Sequence, residues 1–168
     1  MKKTVPFVVI VIAIATAVGF FSMRRTGGVA PVNKDKTQLA LRGYDPVAYF
    51  REGAAVEGRQ EFESAWNGAK WRFKSAENRD EFARVPEAFA PQYGGYCSYA
   101  VGNGYTADGD PQAWKIVGGK LYVNYNTDVR EMWEKDIAGL ISKGDENWAR
   151  FQKSEPEFKG ERADERRK

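Results

Sequence analysis

Apolar and polar positions alternate with period two across Phe62, Ser64 and Trp66, stop at Asn67-Gly68, and resume across Ala69, Trp71 and Phe73. This pattern predicts a β-hairpin, because Asn-Gly tolerates the positive φ angles that a two-residue turn needs. Ser75 is an N-cap residue type, and a helix is expected over 76–85 with Phe82 and Val85 on one side and most charges outside. Pro86 opens a further short helical stretch. A second hairpin is framed by Trp114, Ile116, Leu121 and Val123 around Gly118-Gly119. Asn126, Thr127 and Asp128 then precede a helix carrying Val129, Met132 and Trp133, whose apolar face continues through Ile137, Leu140 and Ile141. Trp148 and Phe151 belong to a last short helix. The two hairpin-then-helix units are not otherwise alike in sequence. The expected fold is α+β, a small single domain with two β-hairpins each followed by helices, behind an N-terminal apolar helix.

That apolar helix rests on residues 5–21, an uncharged run rich in Val, Ile and Ala, flanked by Lys2 and Lys3 before it and Arg24 and Arg25 after it. Residues 1–25 read as a signal anchor or a signal peptide, with Ala15-Thr16-Ala17 as a small-residue cleavage site. Apolar residues continue past that site through Val18, Phe20 and Phe21, which favours the anchor. Either reading exports the domain, so the expected localisation is membrane-anchored, with the domain in the periplasm or otherwise outside the cytoplasm. Near balance of positive charge on the two sides leaves the opposite orientation open. Residues 26–38, with Gly27, Gly28 and Pro31 and no apolar periodicity, read as a linker. The domain follows over 39–153, and a charge-dense, disordered tail over 154–168.

Composition narrows the chemistry. With 168 residues, 42% hydrophobic and 14% aromatic, the chain suffices for one core. The formal charge of +3 includes the four cations flanking the apolar run, so the remainder carries 3 − 4 = −1 and lacks the basic stripe that nucleic acid requires. There is no histidine, and Cys97 is the sole cysteine. An intramolecular disulfide, a Ser-His-Asp triad and a Cys-His pair are therefore excluded within this chain. No cofactor is evident, and the donor set predicts no stable mononuclear zinc site. Gly102-Asn103-Gly104 and Asp108-Gly109-Asp110 lack the residues that would complete a phosphate or calcium loop.

Cys97 has two readings. It is a small buried hydrophobe, or it is a reactive thiol placed by Gly94 and Gly95 in the first turn of a helix beginning near Tyr96. In the second case free N–H groups and the helix dipole lower its pKa. With Tyr44, Asp45 and Tyr96 it also marks two loops that together offer a pocket or a protein contact surface.

Several motifs carry a resemblance to a known family. Gly43-Tyr44-Asp45-Pro46-Val47-Ala48-Tyr49-Phe50, Trp66-Asn67-Gly68-Ala69-Lys70-Trp71-Arg72-Phe73, Phe82, Pro86 and Tyr93-Gly94-Gly95-Tyr96-Cys97 together resemble the YHS domain. The likeness is to its exported subgroup, in which some members carry selenocysteine at the last of these positions. It implies a heavy-metal-binding module, yet Ala48, Lys74 and Asn78 stand where the family's other cysteines would. It also implies redox chemistry at Cys97, or metal handling there, copper being the metal in view, completed by a protein partner or a thiol-linked dimer. The alternative is a non-catalytic ligand- or protein-binding module with a structural cysteine.

Overall fold

Both predicted hairpins form, and their turns have the conformation that their residues demand. Asn67 and Gly68 have φ of 49° and 74°, and Gly118 and Gly119 have 56° and 74°, the left-handed pairs that match the twist of the flanking strands. The computed structural model describes residues 28–153. In chain order its elements are α1 (Ala48–Arg51), β1 (Arg59–Trp66), β2 (Ala69–Phe73), α2 (Ala76–Arg84), α3 (Pro86–Phe89), α4 (Ser98–Gly102), β3 (Asp110–Val117), β4 (Lys120–Asn124), α5 (Thr127–Glu134) and α6 (Ile137–Lys153). The fold is α+β, with β1 and β2 forming one antiparallel sheet and β3 and β4 another. The apolar run 5–21 and the tail 154–168 lie outside the described residues. Among the described residues no helix is long and apolar enough to cross a membrane.

The helix starts follow their caps. Ser75 Oγ accepts from Asn78 N at 3.3 Å and Asn126 Oδ1 from Val129 N at 2.8 Å, each satisfying a first-turn N–H that has no intrahelical acceptor. Two boundaries differ from expectation. The apolar face after Trp133 is interrupted at Asp136, whose Oδ1 accepts from Gly139 N at 3.0 Å, and one helix then runs unbroken through Trp148 and Phe151. The stretch expected as linker belongs in part to the domain. Val32 is 2% exposed within the core, Asn33 N donates to Gly94 O at 2.8 Å, and Lys34 bridges Ala40. Val29-Ala30-Pro31-Val32, a short apolar cluster between glycines and polar residues, carries no periodicity from which such packing could be read.

The two hairpin-then-helix units are structural copies of each other, although their sequences differ. Leu41, Arg42 and Gly43 take positive φ in succession, as do Tyr93, Gly94 and Gly95. A tyrosine follows each triplet and pairs across a loop, Tyr44 with Glu57 and Tyr96 with Asp108. Next come the short helices α1 and α4, then the hairpins. Arg59 pairs with Phe73 as Asp110 pairs with Asn124, and Trp66 with Ala69 as Val117 with Lys120. Each first strand has a register irregularity at the same place, and each hairpin leads to a side-chain-capped helix. The correspondence aligns Asp45 with Cys97 and Lys74 with Tyr125.

Strand β4 joins the two halves of the core. Leu121 and Val123 pack with Trp71, Phe73, Phe82 and Tyr49 in one cluster, while Tyr122 packs with Tyr93, Trp133 and Leu140 in the other. Period-two alternation puts these on opposite faces of the strand. Asn124, next on the Tyr122 face, is fully buried and lies against Cys97.

Candidate functional site

Asp45 is fully buried, and its carboxylate is a knot of hydrogen bonds. Oδ1 accepts from Val47 N at 2.8 Å and Ala48 N at 3.3 Å, and Oδ2 from Lys74 N at 2.9 Å and Asn78 Nδ2 at 2.7 Å. These bonds tie the start of α1 to the strand end after β2 and to α2. Such donors compensate the cost of burying a carboxylate. Positions 48, 74 and 78, where the family resemblance would place cysteines, therefore converge on one point, and Asp45 fills it. Lys74 extends its ammonium to Glu52 at 2.6 Å. The residues present do not fit a metal there. Among the described residues no group of three or more His, Cys, Asp or Glu side chains is placed to hold an ion.

Cys97 occupies the corresponding position in the second half. It precedes α4 as its N-cap residue rather than lying inside the first turn, and α4 is only five residues long. Tyr99, Ala100 and Tyr125 stand at the positions that Val47, Ala48 and Lys74 hold around Asp45, but the Tyr99 N–H is spent on Asn124 rather than on the sulfur. Sγ lies 3.8 Å from Asn124 Oδ1, which accepts from Tyr99 N at 3.0 Å. Two polar atoms beside it, Asn124 Nδ2 and Ser98 Oγ, are buried with no partner among the described residues.

The expectation of a lowered thiol pKa is corrected here. Cys97 is 1% exposed, and burial pushes the thiol up, while the N–H groups of Ala100, Tyr125 and Tyr99 pull the other way without prevailing. A neutral thiol favoured by folding contributes stability that is present below the unfolded thiol pKa of about 8.5 and is lost as pH rises through the folded value. We expect iodoacetamide to label native Cys97 with an apparent pKa above about 8.5, and quickly only in denaturant. The urea midpoint should fall as pH rises past about 8.5, and Cys97→Ala should flatten the first part of that fall. Rapid labelling of native protein at neutral pH would restore the reactive thiol.

Tyr44, Asp45 and Tyr96 do not share a pocket. Asp45 is sealed, and the half-buried Tyr44 donates to Glu57 Oε1 at 3.2 Å. Tyr96 packs on Trp148 of α6, with ring centroids 5.8 Å apart.

A concave surface lies elsewhere, between the turn of the first hairpin and α6. It is an open groove of about 410 Å³, with Trp66 from β1, Trp148 from α6 and Tyr93 among its lining. Each tryptophan is braced by other rings: Trp66 by Trp71 and Phe82, both at 5.8 Å, and Trp148 by Tyr93 at 6.1 Å and by Tyr96. Glu87 and Asp145 also line the groove, and among the described residues no Lys or Arg does. Tyr93 OH donates to Asp145 Oδ1 at 2.9 Å. Burial and this bond push the phenol's pKa up, so it stays a donor. Trp66 and Trp148, far apart in sequence, meet at this one groove, a placement that only the fold reveals.

Comparison with family models, with curated proteins and with solved structures finds no match to this chain.

Proposed function

We propose that this chain is a membrane-tethered binding module, displayed outside the cytoplasm, whose groove takes a basic, extended segment of a partner protein. The observation that carries this is the groove's composition: braced aromatic faces with two carboxylates and, among the described residues, no basic side chain. A guanidinium or ammonium over a tryptophan face gains about 0.5 to 2 kcal/mol depending on its desolvation, and the carboxylates add attraction. A groove of about 410 Å³ exceeds what one cationic head fills and suits a few residues of chain. Gln92 at its edge offers an amide to a peptide backbone. The apolar run 5–21 supports the tether. Burial of Cys97 counts against thiol catalysis and against copper shared between two chains through paired thiolates, since both need the sulfur at a surface.

The test is selection of a random linear peptide library on the full-length chain in detergent. Enriched peptides should carry Lys or Arg, and their affinity should drop as salt rises from about 50 to about 500 mM. Glu87→Gln with Asp145→Asn should weaken binding at least about tenfold, or about 1.4 kcal/mol, while the amide introduced at position 145 keeps an oxygen for Tyr93 OH. Absence of enrichment sinks the binding reading. Enrichment of neutral peptides indifferent to the double substitution removes the basic partner and leaves the groove.

A further inference from the structure

We infer that the groove is one half of a longer track whose other half selects a carboxylate, so that the partner segment is basic at one end and acidic at the other. This rests on the reading of the groove as a peptide site. A second open hollow of about 430 Å³ adjoins the groove, and Trp66 and Asn67 line both. The sign of charge changes between them. Glu87 and Asp145 line the groove, whereas Lys70 lines the second hollow and, among the described residues, no Asp or Glu does. Lys70 is exposed, and no carboxylate of the described residues is ion-paired with it. A second cation stands close by: Lys34 Nζ donates to Gly68 O at 2.8 Å, and Gly68 also lines the hollow. An ammonium has three protons to donate, so this bond leaves two.

The backbone around the second hollow is fixed by the fold itself. Lys70 N donates to Gln38 O at 2.9 Å and Ala40 N to Lys70 O at 2.9 Å, which holds residues 38–40 beside β2. Gln38 has φ of 69°, a left-handed conformation that disfavours a residue with a Cβ. Asp35 enforces it: its Oδ1 accepts from Thr37 N at 2.7 Å and from Leu39 N at 3.0 Å, and Gln38 N donates to Asp35 O at 3.0 Å. The Asp35 carboxylate is thereby occupied in its own turn, while Gln38 is exposed and lines the hollow. Strained backbone of this kind clusters at ligand clamps, and an amide with an ammonium supplies the donors that a carboxylate takes. A segment that lies across Trp66 with its cation over the groove carboxylates brings a residue to Lys70 roughly two to four positions away, at about 3.3 Å per extended residue. The carboxylate there belongs to an Asp or Glu side chain or to a chain terminus, and the reverse charge order sets like charges together.

The experiment selects a linear peptide library with free C-termini on the full-length chain in detergent and reads the position of each charge. Enriched peptides should pair a Lys or Arg with an acidic residue or a free terminus roughly two to four residues away. Synthetic copies with the acidic residue changed to its amide, and copies with an amidated terminus, separate the two sources of carboxylate. Loss of the true one should weaken binding about threefold, in keeping with an exposed ion pair. Lys70→Gln should weaken the parent peptide by the same factor and no longer distinguish it from that copy. Lys70→Glu should reverse the preference and favour a copy with Lys in the acidic position. Gln38→Gly, which accepts the positive φ, should melt no lower than wild type and bind about twofold weaker. The inference is overturned, with the groove reading intact, if basic peptides enrich without any preference for a carboxylate. It is likewise overturned if Lys70→Glu ranks the acidic and Lys copies as wild type does. Absence of any enrichment overturns both readings.

Discussion

Replacing Asp45 with alanine should unfold the domain or leave it barely folded at room temperature. Four donors lose their acceptor at once: Val47 N, Ala48 N, Lys74 N and Asn78 Nδ2, in a place with no solvent exposure. Each buried donor left unsatisfied costs about 1 to 3 kcal/mol. Even with incomplete additivity the sum is on the order of 5 kcal/mol, comparable with the whole stability of a small domain. Asp45→Asn should recover only part of the loss, because an amide has one acceptor oxygen and turns its own N–H groups toward donors. Urea unfolding at neutral pH, followed by tryptophan fluorescence, measures both. A midpoint for Asp45→Ala within about 1 kcal/mol of wild type would show that the three segments are held together by packing alone.

Gly94→Ala should detach the N-terminal segment from the domain. A Cβ at Gly94 would stand 2.1 Å from Pro31 O and 2.9 Å from Pro31 C, with φ of 60° already outside what alanine adopts readily. The obstructing atoms are backbone, so relief requires the Pro31 chain to move. That movement breaks the Asn33 N to Gly94 O bond and uncovers Val32, whose burial is worth about 1.5 to 3 kcal/mol. The expected loss is about 3 kcal/mol or more, with new proteolytic cleavage at Lys34 or Lys36. Gly95→Ala supplies the contrast. Its φ is 83°, but the nearest atom to its Cβ is Pro91 Cγ at 3.3 Å, so it should cost the conformational penalty of roughly 1 kcal/mol and spare the N-terminal segment. Equal effects from the two substitutions would mean that conformation, not the contact with Pro31, fixes Gly94.

The sequence by itself determined the parts of this protein that depend on neighbours in the chain. Asn67-Gly68 and Gly118-Gly119 set the hairpin turns through their own φ preferences, Ser75 and Asn126 start helices through their own side chains, and alternation assigns the strands. Composition likewise removed histidine chemistry and intramolecular disulfides without reference to any fold. What only the tertiary structure decided depends on groups distant in sequence. Asp45 and Cys97 occupy matching positions after the same run of positive-φ residues, and the donors that converge on Asp45 come mostly from backbone N–H groups of a helix start and a strand end, which leave no trace in residue identity. The duplication leaves only a faint trace in residue identity, Gly-Tyr at 43–44 and 95–96 and a glycine at 58 and 109, since Asp answers to Cys and Lys to Tyr while the positive-φ triplets and the register are kept. The state of Cys97 followed from its burial, which its place in the sequence does not announce. The groove exists because α6 returns Trp148 and Asp145 to the turn that carries Trp66, a meeting of residues more than half the described chain apart that periodicity cannot announce.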